Sequence, residues 1–456
     1  MEYVLSKYLH HKEVSRGHHG IYNPLKDHQI VFLESRTYRA LSQFNKPRPV
    51  ENFEGIEPDI LTRLIEGKFL VPADADQDKP IRALAATLPQ NPRFVLMYML
   101  LTDCCNLKCG YCFERGNEEP SKVKKQNMSP QTASNAISFF TRIVDPQPDE
   151  GHTVIFYGGE PFMNRAVFEH STRELRAQEK RGRLKDLTMI VNTNGFGVDD
   201  SLARFCAEYQ INPAVSIDGT KEIHDAVRKN ANSACSSFEE ATRAYGLFRS
   251  HGVKPGISCT ISAKNVDQVE EIAKFLAEKL EPNGIGFNFL LDFKDRKNPL
   301  STSIEKSTKK LIEAFKVLRE KGIYEERIMR RVAKLINNKI HLKDCAGYGH
   351  QITVGPDGSL GPCQVFLNAG EMIVGNVNNN PPDPRNNAVF LEWNSRTPFE
   401  AEDCMGCSGI TLCGGGCAYN AHVTEGSIWE KDERMCQHTL LLIDWMIEDI
   451  WERKSL

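Results

Sequence analysis

The sequence predicts an α/β protein built on an open, partial (βα)6 TIM-like barrel, with a small winged-helix-like domain before it and a cysteine-rich module behind it. Three observations predict this. Short apolar runs alternate with amphipathic stretches through the middle of the chain. The residues least like ordinary core or surface fall where those runs end. Most of the 14 cysteines lie either in one motif after the first run or in an array beyond residue 341.

The apolar runs cover residues 94–101, 153–157, 187–192, 213–217, 256–262 and 285–290, and amphipathic stretches such as 129–143, 167–180, 237–251 and 266–280 separate them. Short β-rich runs with helical spacers imply parallel βα units. These units are too few to close the eight-stranded barrel, hence the partial one, spanning 91–300. A cysteine run follows strand one, Gly158-Gly-Glu160 strand two and Asn192-Thr-Asn-Gly195 strand three, while Ser216-Ile-Asp-Gly219 ends strand four. All four lie at the C-terminal ends of parallel strands, where such folds build their sites.

Residues 301–340 are lysine-rich with helical patterning (309–321, 325–337) and read as a connector. From Cys345 the chain turns to short strands, glycine turns and cysteines, a second module over 341–456 closed by an amphipathic helix from about 437 to 453. Residues 1–90 hold no cysteine. There, 19–24 and 28–33 are expected to pair as a hairpin, followed by helices at 35–44 and 58–66, a short run at 69–72 and a linker at 74–80. This is the winged-helix-like domain.

With 57 basic against 60 acidic residues and net charge −3, the chain offers no general attraction to nucleic acid. Within residues 1–90 the balance is 12 to 12, without the basic excess of a DNA-binding wing. No window approaches the roughly 18 apolar residues of a membrane span, and the first residues are no secretory signal. Cysteines in tight spacings in a large chain of this kind favour metal ligation in a reducing cytoplasm over disulfides.

The segment Thr102-Asp-Cys-Cys-Asn-Leu-Lys-Cys-Gly-Tyr-Cys-Phe113 places Cys105, Cys109 and Cys112 in a C-x3-C-x2-C run. Thiolates normally hold all the irons of a [4Fe–4S] cubane. Three of them leave one iron open, the feature that separates a catalytic from a structural metal site. Further along, Glu160 can accept hydrogen bonds from an amino group, and Gly158 and Gly159 allow close backbone approach. Arg228 can clamp a carboxylate, with the Ser216 hydroxyl adding a bond.

Together these segments resemble the peptide-modifying branch of the radical-SAM superfamily over roughly residues 92–290. The resemblance implies that the open iron takes the amino and carboxylate groups of S-adenosylmethionine (SAM), whose reductive cleavage gives a 5′-deoxyadenosyl radical. It assigns Glu160 and its glycines to the SAM amino group, Ser216 and Arg228 to its carboxylate, Asn194 to the ribose and Tyr111 to the neighbourhood of adenine. No catalytic acid or base is implied.

The later array reads Cys345-x17-Cys363, then Cys404-x2-Cys407-x5-Cys413-x3-Cys417, then Cys436. It resembles the seven-cysteine SPASM domain, which holds auxiliary [4Fe–4S] clusters; zinc is the competing ligand for such spacings. The resemblance gives Cys404, Cys407, Cys413 and Cys436 to a distal cluster and Cys345, Cys363 and Cys417 to an inner one, three clusters in all with the first. The inner set is one thiolate short. Its fourth ligand is then a flanking side chain (Asp344, His341 or His350) or a substrate thiolate. Cys104 adjoins Cys105 in an extended segment, so its side chain is expected on the other face, and Cys206, Cys235 and Cys259 read as small apolar fillers.

The implied activity is maturation of a ribosomally made precursor peptide, by a thioether or carbon–carbon crosslink, with a flavodoxin- or ferredoxin-type electron donor. The N-terminal domain weakly resembles leader-binding domains of such maturases, which capture an extended peptide by strand addition. Two alternatives stand beside it. An anaerobic sulfatase-maturing enzyme typically has an aspartate base directly after the second SPASM cysteine, where this chain has Gln364. A multi-cluster electron carrier leaves Glu160, Ser216 and Arg228 without a task.

Overall fold

A computed structural model describes the chain except for residues 52, 114–125, 147, 149–150, 232–234, 294–296 and 455–456. The N-terminal unit begins with β1 (Glu2–Leu5), β2 (His10–Ser15), β3 (His18–Tyr22), β4 (Ile30–Glu34), β5 (Arg48–Pro49) and β6 (Leu70–Pro72). The expected hairpin forms as β3 paired antiparallel with β4. Strand β2, which the sequence reading did not foresee, completes a meander with β3, and β5-β1-β6 make a second small sheet. Helices Ser35–Leu41 and Pro58–Glu66 bury Leu41, Leu64, Phe44 and Phe69 between these sheets.

The expected linker is instead partly helical, since Lys79–Ala86 is a helix with Pro80 in its first turn, where a missing N–H costs nothing. It lies against the C-terminal module, Ile81 and Ala85 packing with Phe399 and Ile410.

The barrel strands are β7 (Leu96–Leu100), β9 (Thr153–Tyr157), β10 (Thr188–Thr193), β11 (Ile211–Ser216), β13 (Gly256–Ile261) and β14 (Gly284–Phe289); β8 (Leu107–Cys109) and β12 (Arg228–Asn230) form a separate ribbon. The six barrel strands run parallel in the order β14-β13-β11-β10-β9-β7. Helices Pro130–Ile143, Arg165–Lys180, Ser237–Ser250 and Val269–Lys279 follow the predicted pattern. Ser129 and Ser236 start two of them by accepting the Thr132 and Glu239 amides, a cap worth about 1 kcal/mol.

One face of each strand packs on the helices: Met97, Met99, Val154, Phe156, Met189, Val191, Val215, Ile257 and Phe287 join Phe140, Phe168, Phe248 and Leu276 in one core. Phe156 meets Phe168 edge-on at 4.9 Å, worth about 0.5–1.5 kcal/mol beyond area burial. The other face carries Tyr98, Tyr157, Asn192, Ser216, Ser258, Thr260 and Asn288, all only partly buried. A closed barrel fills its interior with branched apolar side chains; this polar inner face leaves the interior as a site.

The sheet is larger than six strands. In the expected connector, helices Ile304–Glu320 and Glu326–Ile336 flank β15 (Tyr324–Glu325), which adds parallel to β14. At the other edge β16 (Gln351–Val354), from the cysteine-rich module, adds parallel to β7, and β17 (Ser359–Gly361) and β18 (Gly375–Asn376) continue antiparallel. Sequence separation hid this, because an edge strand of two residues has no period to read. The closing helix runs Glu433–Lys454. Among the described residues, no helix is long and apolar enough to cross a membrane.

Candidate active site

The cysteine loop leaves β7 and lies directly on the glycines that follow β9. Gly159 N donates to Thr102 O at 2.7 Å and Glu160 N to Cys104 O at 2.8 Å. A Cβ on Gly158 would strike Thr102 O, and one on Gly159 Cys104 O; Gly158 also has φ +116°. The close approach expected between these glycines and a ligand is thus used first by the protein's own loop.

Glu160 is 1% exposed. Its Oε1 accepts from Thr193 Oγ1 (2.7 Å) and Phe162 N (3.3 Å), and its Oε2 from Asn194 N (2.7 Å). A carboxylate has about four acceptor positions, and three are filled from within. Burial pushes its carboxyl up to about 7 against these donors. Asn194 donates from Nδ2 to Asn106 Oδ1 (2.9 Å) and to Cys105 Sγ (3.7 Å). The same sulfur receives Leu107 N at 3.4 Å.

Arg228, expected as an open clamp, is closed on a protein carboxylate. Its Nε donates to Asp218 Oδ2 at 2.8 Å and its Nη2 to Asp218 Oδ1 at 3.3 Å. Asp218 is fully buried and also accepts from Thr260 N (2.9 Å) and from the Tyr111 hydroxyl. Burial works to raise its carboxyl, and the Arg228 charge overrides this and holds it low. The guanidinium lies 5.5 Å from the Tyr111 ring centroid. Ser216 sits at the end of β11 opposite Ser258, whose hydroxyl accepts from Asn288. Asp218 lay inside the Ser-Ile-Asp-Gly segment; the reading passed over it because a buried carboxylate ten residues from an arginine has no local signature.

The C-terminal cysteines separate into two neighbourhoods. Cys363 feels the charges of Cys345 and Cys417, and Cys345 feels that of Cys417. Cys404 lies near Cys413 and Cys407, and Cys436 near Cys413 and Cys404. Backbone amides of Gly347, Val365 and Phe366, Asn420, Gly409 and Gly415 point at Cys345, Cys363, Cys417, Cys407 and Cys413. Such N–H···S bonds suit thiolates bound to iron.

Arg331, 0% exposed, donates to Asp344 Oδ1 (3.0 Å) and Cys413 O (3.2 Å), while its Nε and Nη1 are buried without an acceptor. Unmet buried donors are costly, and anionic sulfurs beside Cys413 would satisfy them. The donor set therefore fits iron–sulfur clusters. Among the described residues, no three Cys, His, Asp or Glu side chains close on a single metal-ion position.

The flanking candidates for a fourth inner ligand are each engaged. Asp344 pairs with Arg331 and with His341 Nε2 (3.0 Å), and His350 Nδ1 faces Arg93 O (3.2 Å). Tyr98, on the inner face of β7, lies near Cys345, Cys363, Glu326 and Arg330. Glu326 is held by Arg330 and reaches past Gly286, where a Cβ would stand 3.0 Å from its Oε2. Gln364 begins the helix Gln364–Asn368 beside Cys363.

The N-terminal unit covers the distal set. Tyr8 Oη reaches Met405 Sδ (3.6 Å), His10 Nδ1 lies 3.0 Å from Ser408 Oγ, and His28 Nε2 2.9 Å from Thr411 Oγ1. Tyr8, Ile81 and Ala85 pack with Cys404, Met405 and Cys407 in one apolar cluster. A separate cleft of about 550 Å³, lined by Arg176, Leu187, Asn212, His251 and Lys254, lies at the N-terminal ends of the strands, away from every motif.

Residues 99–276 match the sequence model of the Radical SAM superfamily. The chain carries a radical SAM domain. It is similar to the cysteine-type anaerobic sulfatase-maturating enzyme of Clostridium perfringens (strain 13 / Type A), 26% identical over 339 residues that cover 72% of this chain and 89% of the relative. It is also similar to the radical SAM cyclopropyl synthase TigE of Paramaledivibacter caminithermalis, 22% identical over 369 residues, 77% of this chain and 73% of the relative. The structure of native anSMEcpe with bound AdoMet superposes with a TM-score of 0.65 at 22% identity, covering 78% of this chain and 99% of that one. Streptococcus suis SuiB bound to its precursor peptide SuiA superposes at 0.56 and 14% identity, over 96% and 100%. The radical SAM domain and its surroundings thus share the fold of both.

Proposed function

We propose that this protein is a radical SAM maturase that modifies a ribosomally made precursor peptide. The observation that carries the reading is the joining of the three-cysteine loop, the Gly-Gly-Glu turn and the Arg228 strand into one hydrogen-bonded unit at the barrel mouth, facing a polar interior that ends at a second thiol set. Cys105, Cys109 and Cys112 hold a [4Fe–4S] cluster whose open iron binds SAM. When bound, cluster and SAM supply a 5′-deoxyadenosyl radical that abstracts hydrogen from carbon.

The chain's own residues orient and enclose. Glu160, held by Thr193 and Asn194, keeps the Gly158–Gly159 turn under the cysteine loop and has one acceptor position left for an amino group. Arg228 and Tyr111, fixed by Asp218, form the wall beside Cys109. Ser216, Asn192, Tyr98 and Tyr157 line the space for a substrate, since holding one C–H bond in reach is the main demand of such chemistry. Cys404, Cys407, Cys413 and Cys436 hold one auxiliary cluster and Cys345, Cys363 and Cys417 another. A substrate thiolate is the reading we favour for the inner cluster's open position, with Asp344, His341 or His350 as the alternative.

A leader segment of the peptide binds the N-terminal domain, and a flavodoxin- or ferredoxin-type protein delivers electrons. Sulfatase maturation is the second reading, favoured by the likeness to the Clostridium perfringens enzyme and opposed by Gln364, which cannot act as the carboxylate base expected there.

The test is anaerobic reconstitution, iron and zinc analysis, and assay of reductive SAM cleavage. The reading requires about twelve irons per chain, three clusters of four, and 5′-deoxyadenosine that rises with a cysteine-containing candidate peptide. Iron without SAM cleavage would make the protein an electron carrier. Stoichiometric zinc with about four irons would remove the auxiliary clusters.

A further inference from the structure

Arg396 is buried to 4% exposure where the chain passes between the two C-terminal thiol sets. Its Nη1 donates to Tyr348 Oη (2.5 Å) and Gly415 O (2.8 Å), its Nη2 to Glu430 O (3.1 Å), and its Nε to Ile428 O. Every acceptor is a neutral carbonyl or phenol, and among the described residues Arg396 makes no ion pair. Among the cations around these thiols, Arg331 has Asp344, Arg434 has Asp432 and Lys431 is partly exposed beside Asp403 and Glu433, while the partly buried Lys343 donates to Tyr348 O (2.7 Å) and Asn394 Oδ1 (3.0 Å).

Burying a cation without an anion is costly, so a compensating negative charge belongs nearby. The geometry says where. Gly415 lies on the turn that runs from Cys413 of the distal set to Cys417 of the inner set, and Tyr348 stands three residues after Cys345, its hydroxyl also donating to Gly416 O at 2.8 Å. Thiolate-held cubanes are net anionic, and nearby charge is among the main determinants of their potential.

We propose that Arg396 is a shared counter-charge for the two C-terminal clusters, raising the reduction potential of both and so coupling the two auxiliary sites through one side chain. It is a positioning residue: it touches neither substrate nor SAM. The inference rests on the reading that these cysteines hold clusters.

The experiment is an EPR-monitored redox titration of the full chain, anaerobically reconstituted, in a background where Cys105, Cys109 and Cys112 are alanine so that the remaining signals come from the C-terminal sets. Arg396→Gln should keep the iron of its parent and move both signals to more negative potential. Arg396→Lys and Tyr348→Phe, which keep the charge, should leave them near the parent values. Unchanged potentials in Arg396→Gln, or an equal shift in Arg396→Lys, would overturn the counter-charge. If Arg396→Gln loses iron, Arg396→Lys decides: parent-like potentials support the inference and a negative shift overturns it. A parent that retains no iron in this background defeats the cluster reading itself, an outcome distinct from failure of the Arg396 inference.

Discussion

Arg228 stands directly opposite Cys109 in the short antiparallel ladder of β8 and β12. The register is held at both ends, by Gly110 N to Val227 O (3.1 Å) and Ala231 N to Asn106 O (2.8 Å). The arginine strand and the cysteine loop therefore move as one body. Through Asp218 and Tyr111 the same body is tied to the ends of β11 and β13.

Replacing Asp218 with Asn should be more damaging than replacing Tyr111 with Phe. It leaves the Arg228 guanidinium buried without its carboxylate, a loss of roughly 3–5 kcal/mol, whereas Tyr111→Phe removes one hydrogen bond worth about 1–2 kcal/mol. Denaturant unfolding of both variants checks the order. Equal, small losses would mean that the pair contributes little to the ribbon.

Cys105→Ala, Cys109→Ala and Cys112→Ala together should remove about four irons and abolish 5′-deoxyadenosine formation while leaving the C-terminal iron in place. Iron analysis and product chromatography read the two effects separately. Loss of all iron would show that the two regions do not load independently.

Burial raises the carboxyls of both Glu160 and Glu325 from 4.5 to about 7. Below 4.5 both groups are protonated in the folded and unfolded chains and contribute nothing. Between about 4.5 and 7 the unfolded chain releases protons that the folded chain retains, so stability falls as pH rises, by up to about 1.4 kcal/mol per pH unit for each group. Above that window the loss is complete. Glu160→Gln or Glu325→Gln should each flatten the slope, measured as the unfolding midpoint in urea across the same pH range; a slope unaltered in both variants would count against these two groups as its source.

Deleting residues 1–90 should do more than uncouple the enzyme from a peptide. Tyr8, His10, Tyr22 and His28 contact the Cys404–Cys413 segment, so their loss uncovers the distal thiols. The truncated chain should keep SAM cleavage and release about four of its irons to a chelator much faster than the full chain. Equal rates of release would show that the domain does not shelter that site.

The barrel strands, their helices and the positions of the motifs were legible because they depend on local pattern: short apolar runs for the strands and helical spacing between them. The division of the C-terminal cysteines into four and three rests on resemblance in spacing. Tertiary structure alone decided who pairs with whom. It closed Arg228 on Asp218, turned Gly158 and Gly159 toward Thr102 and Cys104, laid β16 against β7, set the N-terminal meander over Cys404 and Cys407, and left Arg396 between two thiol sets without a carboxylate. The physical reason is the range of the interactions. Burial periodicity is written within a few residues, whereas the partner of a buried charge and the docking of one domain on another depend on tertiary contacts for which no local pattern exists.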